Sequence, residues 1–149
     1  MNNNLLPLTG FKMSIGSNNF KTLQHFAVSA TMPGVSIGEI SATYRNFAGY
    51  VSSDHITYDN LTIRVAVDEA MTVYDEALQW LTDNTTADVT KPYDIMLNFL
   101  SSNFNIARSV NFVNAFPSSI SAIEFNVQNT EVEYAYIDIV FRYDYFEFV

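Results

Sequence analysis

Cysteine is absent from this chain of 149 residues. That excludes a disulfide framework, a thiolate nucleophile and any zinc site built on sulfur. Basic side chains are scarce as well: seven Lys and Arg stand against sixteen Asp and Glu, for a formal net charge of −9. A chain with that balance repels a phosphate backbone, so it is not expected to read nucleic acid. Charged residues of both signs make up only 15% of the sequence, against about 25% in an average soluble protein. No stretch approaches the roughly 20 apolar residues of a membrane span. The opening "MNNNLLPLTGF" also has no basic n-region and only a broken apolar run, so the protein is expected to be made and kept in a cytoplasm.

What is abundant is aromatic and neutral. Phe (12) and Tyr (9) dominate the aromatic content, and 48% of residues are hydrophobic. A lightly charged surface rich in Asn, Ser and Thr suits a subunit whose faces are covered by neighbours. The length is that of one ordinary domain, expected to span 1–149 with its own core.

Period-2 alternation recurs along the chain. Phe11 to Ile15 and Phe20 to Met32 read as two strands of a hairpin around "GSNN". "SATYRNFAGYVSSDH" reads as a long loop or protruding hairpin. Leu61, Ile63, Val65 and Val67 mark a half-buried strand. Met71, Tyr74, Leu78 and Leu81 recur at helical spacing, widened by Ala77 and Trp80, with Thr72 as the expected N-cap and Asp75 and Glu76 in the first turn. Ile95, Leu97 and Phe99, then Phe104, Ile106, Val110 and Phe112, mark two further strands. "PSSIS" reads as a turn before a strand through Ile123, Phe125 and Val127. A last strand is expected from Val132 almost to the end, with Ala135, Ile137, Ile139, Phe141, Tyr143 and Tyr145 on one face. Many short strands with one helix imply a mainly β fold, a small antiparallel barrel or sandwich with one flanking α-helix.

Several patterns touch on chemistry. Gly34, Ser36 and Gly38 match G-x-S-x-G, but a nucleophile elbow needs a strand-turn-helix context, with an acid and then a histidine following. Strand or loop character follows Gly38, and Pro33-Gly34 already explains a bend. His25 and His55 could share a metal with Asp54 or Asp59, yet they match no ligand spacing. Glu131 and Glu133 could pair as glycosidase carboxylates, although acids that keep a strand edge soluble are commoner. The sequons at Asn60 and Asn84 carry little weight without a secretory signal. No enzyme activity, cofactor or metal is expected. A small-ligand β-barrel and a hydrolase at Ser36 stand as readings from other classes.

The stretches "ATMPGVSIGEI", "YRNFAGYVSSDHITYDNLTIRV", "DEALQWL" and "VNFVNAFPSSISAIEFN" leading into "EYAYIDIVFRYDYFEF" resemble, in order and character, the tail tube proteins of contractile-tailed bacteriophages. These are related in fold to the tube protein of type VI secretion. The resemblance covers nearly the whole chain, and the Asn114-Ala115-Phe116-Pro117 turn is its most specific part. It implies a structural subunit, hexameric in each ring, whose rings stack into a hollow conduit for DNA inside a contractile sheath. It also implies baseplate, initiator and terminator partners, no membrane, and a place in the virion tail after assembly in the host cytoplasm. A tube-initiating or capping paralogue of the same fold is the alternative within the family. The family's ring-stacking loop maps onto Arg45 to Tyr58, with Phe47, Tyr50, His55 and Tyr58 as aromatic anchors and Arg45 as an ion-pair partner. Glu131, Glu133, Asp138 and Asp144 are the candidate lumen acids, which would leave passing phosphates their counterions.

Overall fold

A computed structural model describes residues 4–44, 47–86, 92–128 and 130–149. The strands, in chain order, are β1 (Phe11–Ile15), β2 (Ala27–Thr31), β3 (Val35–Tyr44), β4 (Phe47–Tyr58), β5 (Leu61–Ala66), β6 (Tyr93–Leu100), β7 (Ile106–Ile120), β8 (Tyr136–Arg142) and β9 (Tyr145–Phe148). The helices are α1 (Lys21–His25) and α2 (Thr72–Thr86). Seven strands form one antiparallel sheet in the order β1-β6-β7-β8-β5-β2, with β9 added to β7, while β3 and β4 pair only with each other. The sheet is not closed into a barrel. It curls until Phe11 of one end strand and Ala30 of the other line the same groove.

The expected hairpin of β1 and β2 does not form: β1 pairs with β6 and β2 with β5. Between them a 3-10 turn (Asn18–Phe20) runs into α1. Phe20 and Leu23 are buried at i, i+3 spacing, so the stretch supplies a helical face to the core. Glu76, expected from sequence in the first turn of α2, accepts the Leu23 N–H at 2.9 Å and so satisfies a first-turn donor of α1.

In α2 the buried positions are Val73, Ala77 and Trp80, whereas Met71 and Leu78 of the expected stripe are exposed. The cap also differs. Met71 has φ 55 just outside the helix, and the Asp68 carboxylate, not Thr72, accepts the Val73 N–H at 3.2 Å. Burial pulls the Asp68 pKa upward, but hydrogen bonds from Val73 and Thr72 win and hold it below its ordinary value.

The Asn114 to Pro117 stretch lies inside β7, which bends there instead of ending. Up to Ala115 it pairs with β6 and, in part, β9; from Phe116 it pairs with β8. Asn114 takes φ 55 at the switch, a left-handed conformation that Asn tolerates. Its main-chain N–H donates to Asp94 Oδ1 at 3.0 Å and its side-chain amide to Asp144 Oδ2 at 2.8 Å. Pro117, which has no N–H to donate, sits where the register with β8 shifts. The expected last strand is divided into β8 and β9 by a bend at Tyr143 and Asp144, where the Asp144 N–H reaches the Val113 carbonyl. Ile123, Phe125 and Val127 form no strand, and Phe125 and Val127 are exposed.

The core joins the inward residues of the sheet to the two helices. Trp80 stacks on Phe20 at 4.6 Å and contacts Tyr93 and Phe141. Such aromatic pairs add to the hydrophobic gain of burial.

Candidate functional site: the β3–β4 arm

The stretch read as a loop or protruding hairpin is a hairpin, with strands of 10 and 12 residues. At about 3.3 Å per residue such strands reach on the order of 30 Å. Neither strand joins the main sheet. Val35, Ile37, Ile40, Val51 and Ile56 are each about half exposed or more, and Tyr50 is 72% exposed.

The arm is held at its root. The Asp59 N–H donates to the Gly34 carbonyl at 3.0 Å. The Tyr58 ring packs edge-on against Tyr143 and Phe146, at 6.0 and 5.2 Å, and Phe112 completes that cluster. The Tyr143 hydroxyl donates to the Asp59 carbonyl at 2.7 Å. Burial foremost, then electrostatic repulsion from Asp59 and Tyr58, pushes the Tyr143 pKa up to about 12.

Of the residues assigned to the stacking loop, Tyr50 lies on β4 opposite Ser41, far along the arm. His55 lies on β4 with its Nε2 3.7 Å from Asp54 Oδ1, both side chains about nine-tenths exposed. A contact so solvated contributes little. Tyr58 is at the root, packed on its own protomer. Arg45 lies outside the described residues, as does the side chain of Phe47.

Three of the candidate lumen acids lie near one another: Glu131 and Glu133 line a groove with Arg64, the register partner of Asp138. Glu131 and Glu133 are exposed in the irregular segment before β8, not on a strand. Asp138 is on β8, paired across to Arg64 of β5. Asp144 holds the Asn114 amide at the strand bend.

Ser36 lies within β3 opposite Thr57, so the G-x-S-x-G stretch is arm strand with no helix after it. His25 ends α1 while His55 is on the arm. Among the described residues no three His, Asp or Glu side chains group as metal ligands. The interior that a ligand barrel would leave open is filled by Trp80, Phe112 and Phe141. No described helix is long and apolar enough to cross a membrane.

The family T4-like virus tail tube protein gp19 matches residues 9–147. The chain belongs to that tail tube family. No curated protein sequence matches. Among solved structures, this family member is similar to a chain of the sheath-tube complex of an extracellular contractile injection system, PVC, in its extended state. The TM-score is 0.76 at 18% identity, over 99% of this chain and 93% of that one. A chain of the anti-feeding prophage tube-terminating cap gives 0.73 at 17% identity, over 100% of this chain and 93% of that one. A crystal structure of Hcp protein gives 0.54 at 8% identity, over 89% and 88%. At these identities the likeness is one of fold.

Proposed function

We propose that this tail tube family member is a non-enzymatic structural subunit that acts as a single domain. Hexameric rings of it stack into the hollow inner conduit of a contractile tail, under a sheath and between baseplate and terminator proteins. The observation that carries this reading is the arm: a hairpin with exposed apolar side chains at Val35, Ile37, Ile40, Tyr50, Val51 and Ile56, paired with no strand of the protein's own sheet. Two strands alone are marginally stable in water, and a long hydrophobic hairpin left bare invites association. Contacts that close by rotation give rings, and a non-closing contact between rings gives a filament. The arm supplies the second kind, with Tyr50 and Phe47 as anchors.

DNA is the proposed cargo, and the acidic balance supports it. A lumen lined by Glu131, Glu133, Asp138 and Asp144 would leave phosphates their counterions. The place of action is the virion tail, after assembly in the host cytoplasm. Negative-stain electron microscopy of the purified protein, alone and with its sheath and baseplate proteins, tests the reading. Hollow rings or tubes of uniform diameter are expected. Monomers under both conditions would overturn it.

A further inference from the structure

One strand expected from the sequence goes unmade inside the protomer. Ile123, Phe125 and Val127 alternate with Glu124 and Asn126, the period of a strand, yet among the described residues 122–127 pair with no strand. Ile123 packs on the core, while Phe125 is 77% and Val127 100% exposed. The main chain here offers both of its edges for pairing. β3 and β4, by contrast, each spend one edge on the other. A second alternating run, through Val132 and Tyr134, is tied down where the Ala135 carbonyl accepts the Val67 N–H.

The seam between the sheet's two end strands presents two more unpaired edges. β1 pairs only with β6, and β2 only with β5. Gly10 and Phe11 line the middle of the seam from one side, and four consecutive residues, Ala27 to Ala30, line it from the other. Side chains alternate across a strand, so consecutive residues face one cleft only along the backbone edge. This part of the seam has a volume of about 350 Å³. β1 and β2 are five residues long, as is the stretch from Ile123 to Val127.

Charge favours the same match. The seam continues past Phe11 to Lys12, Lys21 and His25 at one end, and past Ala30 to Arg108 at the other. Among the described residues no Asp or Glu lines any of it. The unmade strand carries Glu124, which shares a groove with Glu131 and Glu133. In its own protomer this segment starts at β8, where the Ser121 N–H is held by the Asp138 carbonyl, and β5 and β2 stand between it and the seam. The matching seam is that of another copy.

We propose that residues 122–127 of one copy add as a strand to the seam of a second copy, between its β1 and β2, with Glu124 among the seam's cations. Five antiparallel pairings lead from β1 to β2, so the two run in opposite directions. The added strand is therefore antiparallel to one and parallel to the other, as in mixed sheets. Main-chain hydrogen bonds hold it, and Phe125 and Val127 leave water. This rests on the tube reading above, because it makes the partner a second copy, and it gives that reading a self-contact that does not use the arm.

A synthetic peptide of residues 121–128, added to the unassembled protomer, tests the contact. Hydrogen exchange at the β1 and β2 amides is expected to slow on the order of tenfold. The same peptide with Phe125→Pro loses a donor in mid-strand and is expected to give no protection. Equal protection by both peptides, or by neither at millimolar concentration, overturns the proposal. In the full chain Phe125→Pro should leave the circular dichroism of the protomer unchanged, since residue 125 is exposed and outside every strand. It should also raise the protein concentration needed for assembly. Assembly at the parent's concentration would count against the contact. Tubes from the parent with no protection by the peptide leave the tube reading standing and remove this contact, whereas protection without tubes under any condition does the reverse.

Discussion

The Tyr143 hydroxyl donates a 2.7 Å hydrogen bond to the main-chain carbonyl of Asp59, across 84 residues of sequence. It joins the bend between the last two strands to the root of the arm, so the arm's direction is set by the C-terminal part of the chain. Tyr143→Phe keeps the aromatic packing and removes the bond, at an expected cost of about 1 kcal/mol. Chemical denaturation checks the stability, and tube yield checks the arm. The folded-state pKa is raised from 10.0 to about 12. The neutral hydroxyl's contribution is therefore complete below pH 10 and lost as pH rises through 12. Between those values the parent should lose stability relative to Tyr143→Phe. Parallel denaturation curves throughout would refute the assignment.

Tyr50→Asp places a charge on an exposed ring far along the arm. The protomer should fold as the parent does by circular dichroism, while tubes disappear from negative-stain fields. Filaments persisting with this variant would place the stacking contact elsewhere.

Trp80 is 2% exposed and touches Phe20, Tyr93 and Phe141. Trp80→Ala leaves a large cavity between α2 and the sheet, with an expected loss of about 3–5 kcal/mol. The urea midpoint reads it, and an unchanged midpoint would mean that the helix does not pack there.

At Asn114 the direction depends on the replacement. Asn114→Ala meets the left-handed penalty of about 1–2 kcal/mol and also loses the amide bond to Asp144. Asn114→Gly loses the bond but relieves the backbone. Glycine should therefore be the more stable of the two variants in thermal melts, and the reverse order would rule out backbone strain as the cause.

Asp68 caps α2 through the Val73 N–H, and its pKa is lowered from 3.8. The sign is that of a depressed carboxylate: the contribution is present above the ordinary value and lost as pH falls through the lower folded value. Asp68→Asn should flatten the acid limb of the stability profile. Equal acid sensitivity in both proteins would contradict the cap.

What the sequence itself determined is what local pattern can specify. The alternation of Leu61, Ile63 and Val65 placed β5 and its buried face, and that of Ile137, Ile139 and Phe141 did the same for β8. The helical spacing from Met71 to Leu81 located α2, although its buried side proved to be Val73, Ala77 and Trp80, because a wide apolar stripe does not say which edge the sheet covers. The arm was legible as a hairpin or loop, and the family was legible from the order of elements.

Strand partners and strand breaks were decided by the tertiary structure. Phe20 and Leu23 look equally apt for a strand until the core requires a helical face there. Asn114 and Pro117 read as a turn, yet pairing on both sides carries β7 through the bend. Asp144 interrupts the last strand because its N–H is drawn to Val113 and its carboxylate to Asn114. The body-facing side of the arm was likewise hidden, since only the contact of Tyr58 with Tyr143 and Phe146 fixes it. Periodicity reports which side of an element is apolar, but the surface that side meets depends on hydrogen bonds and packing between residues far apart in the chain.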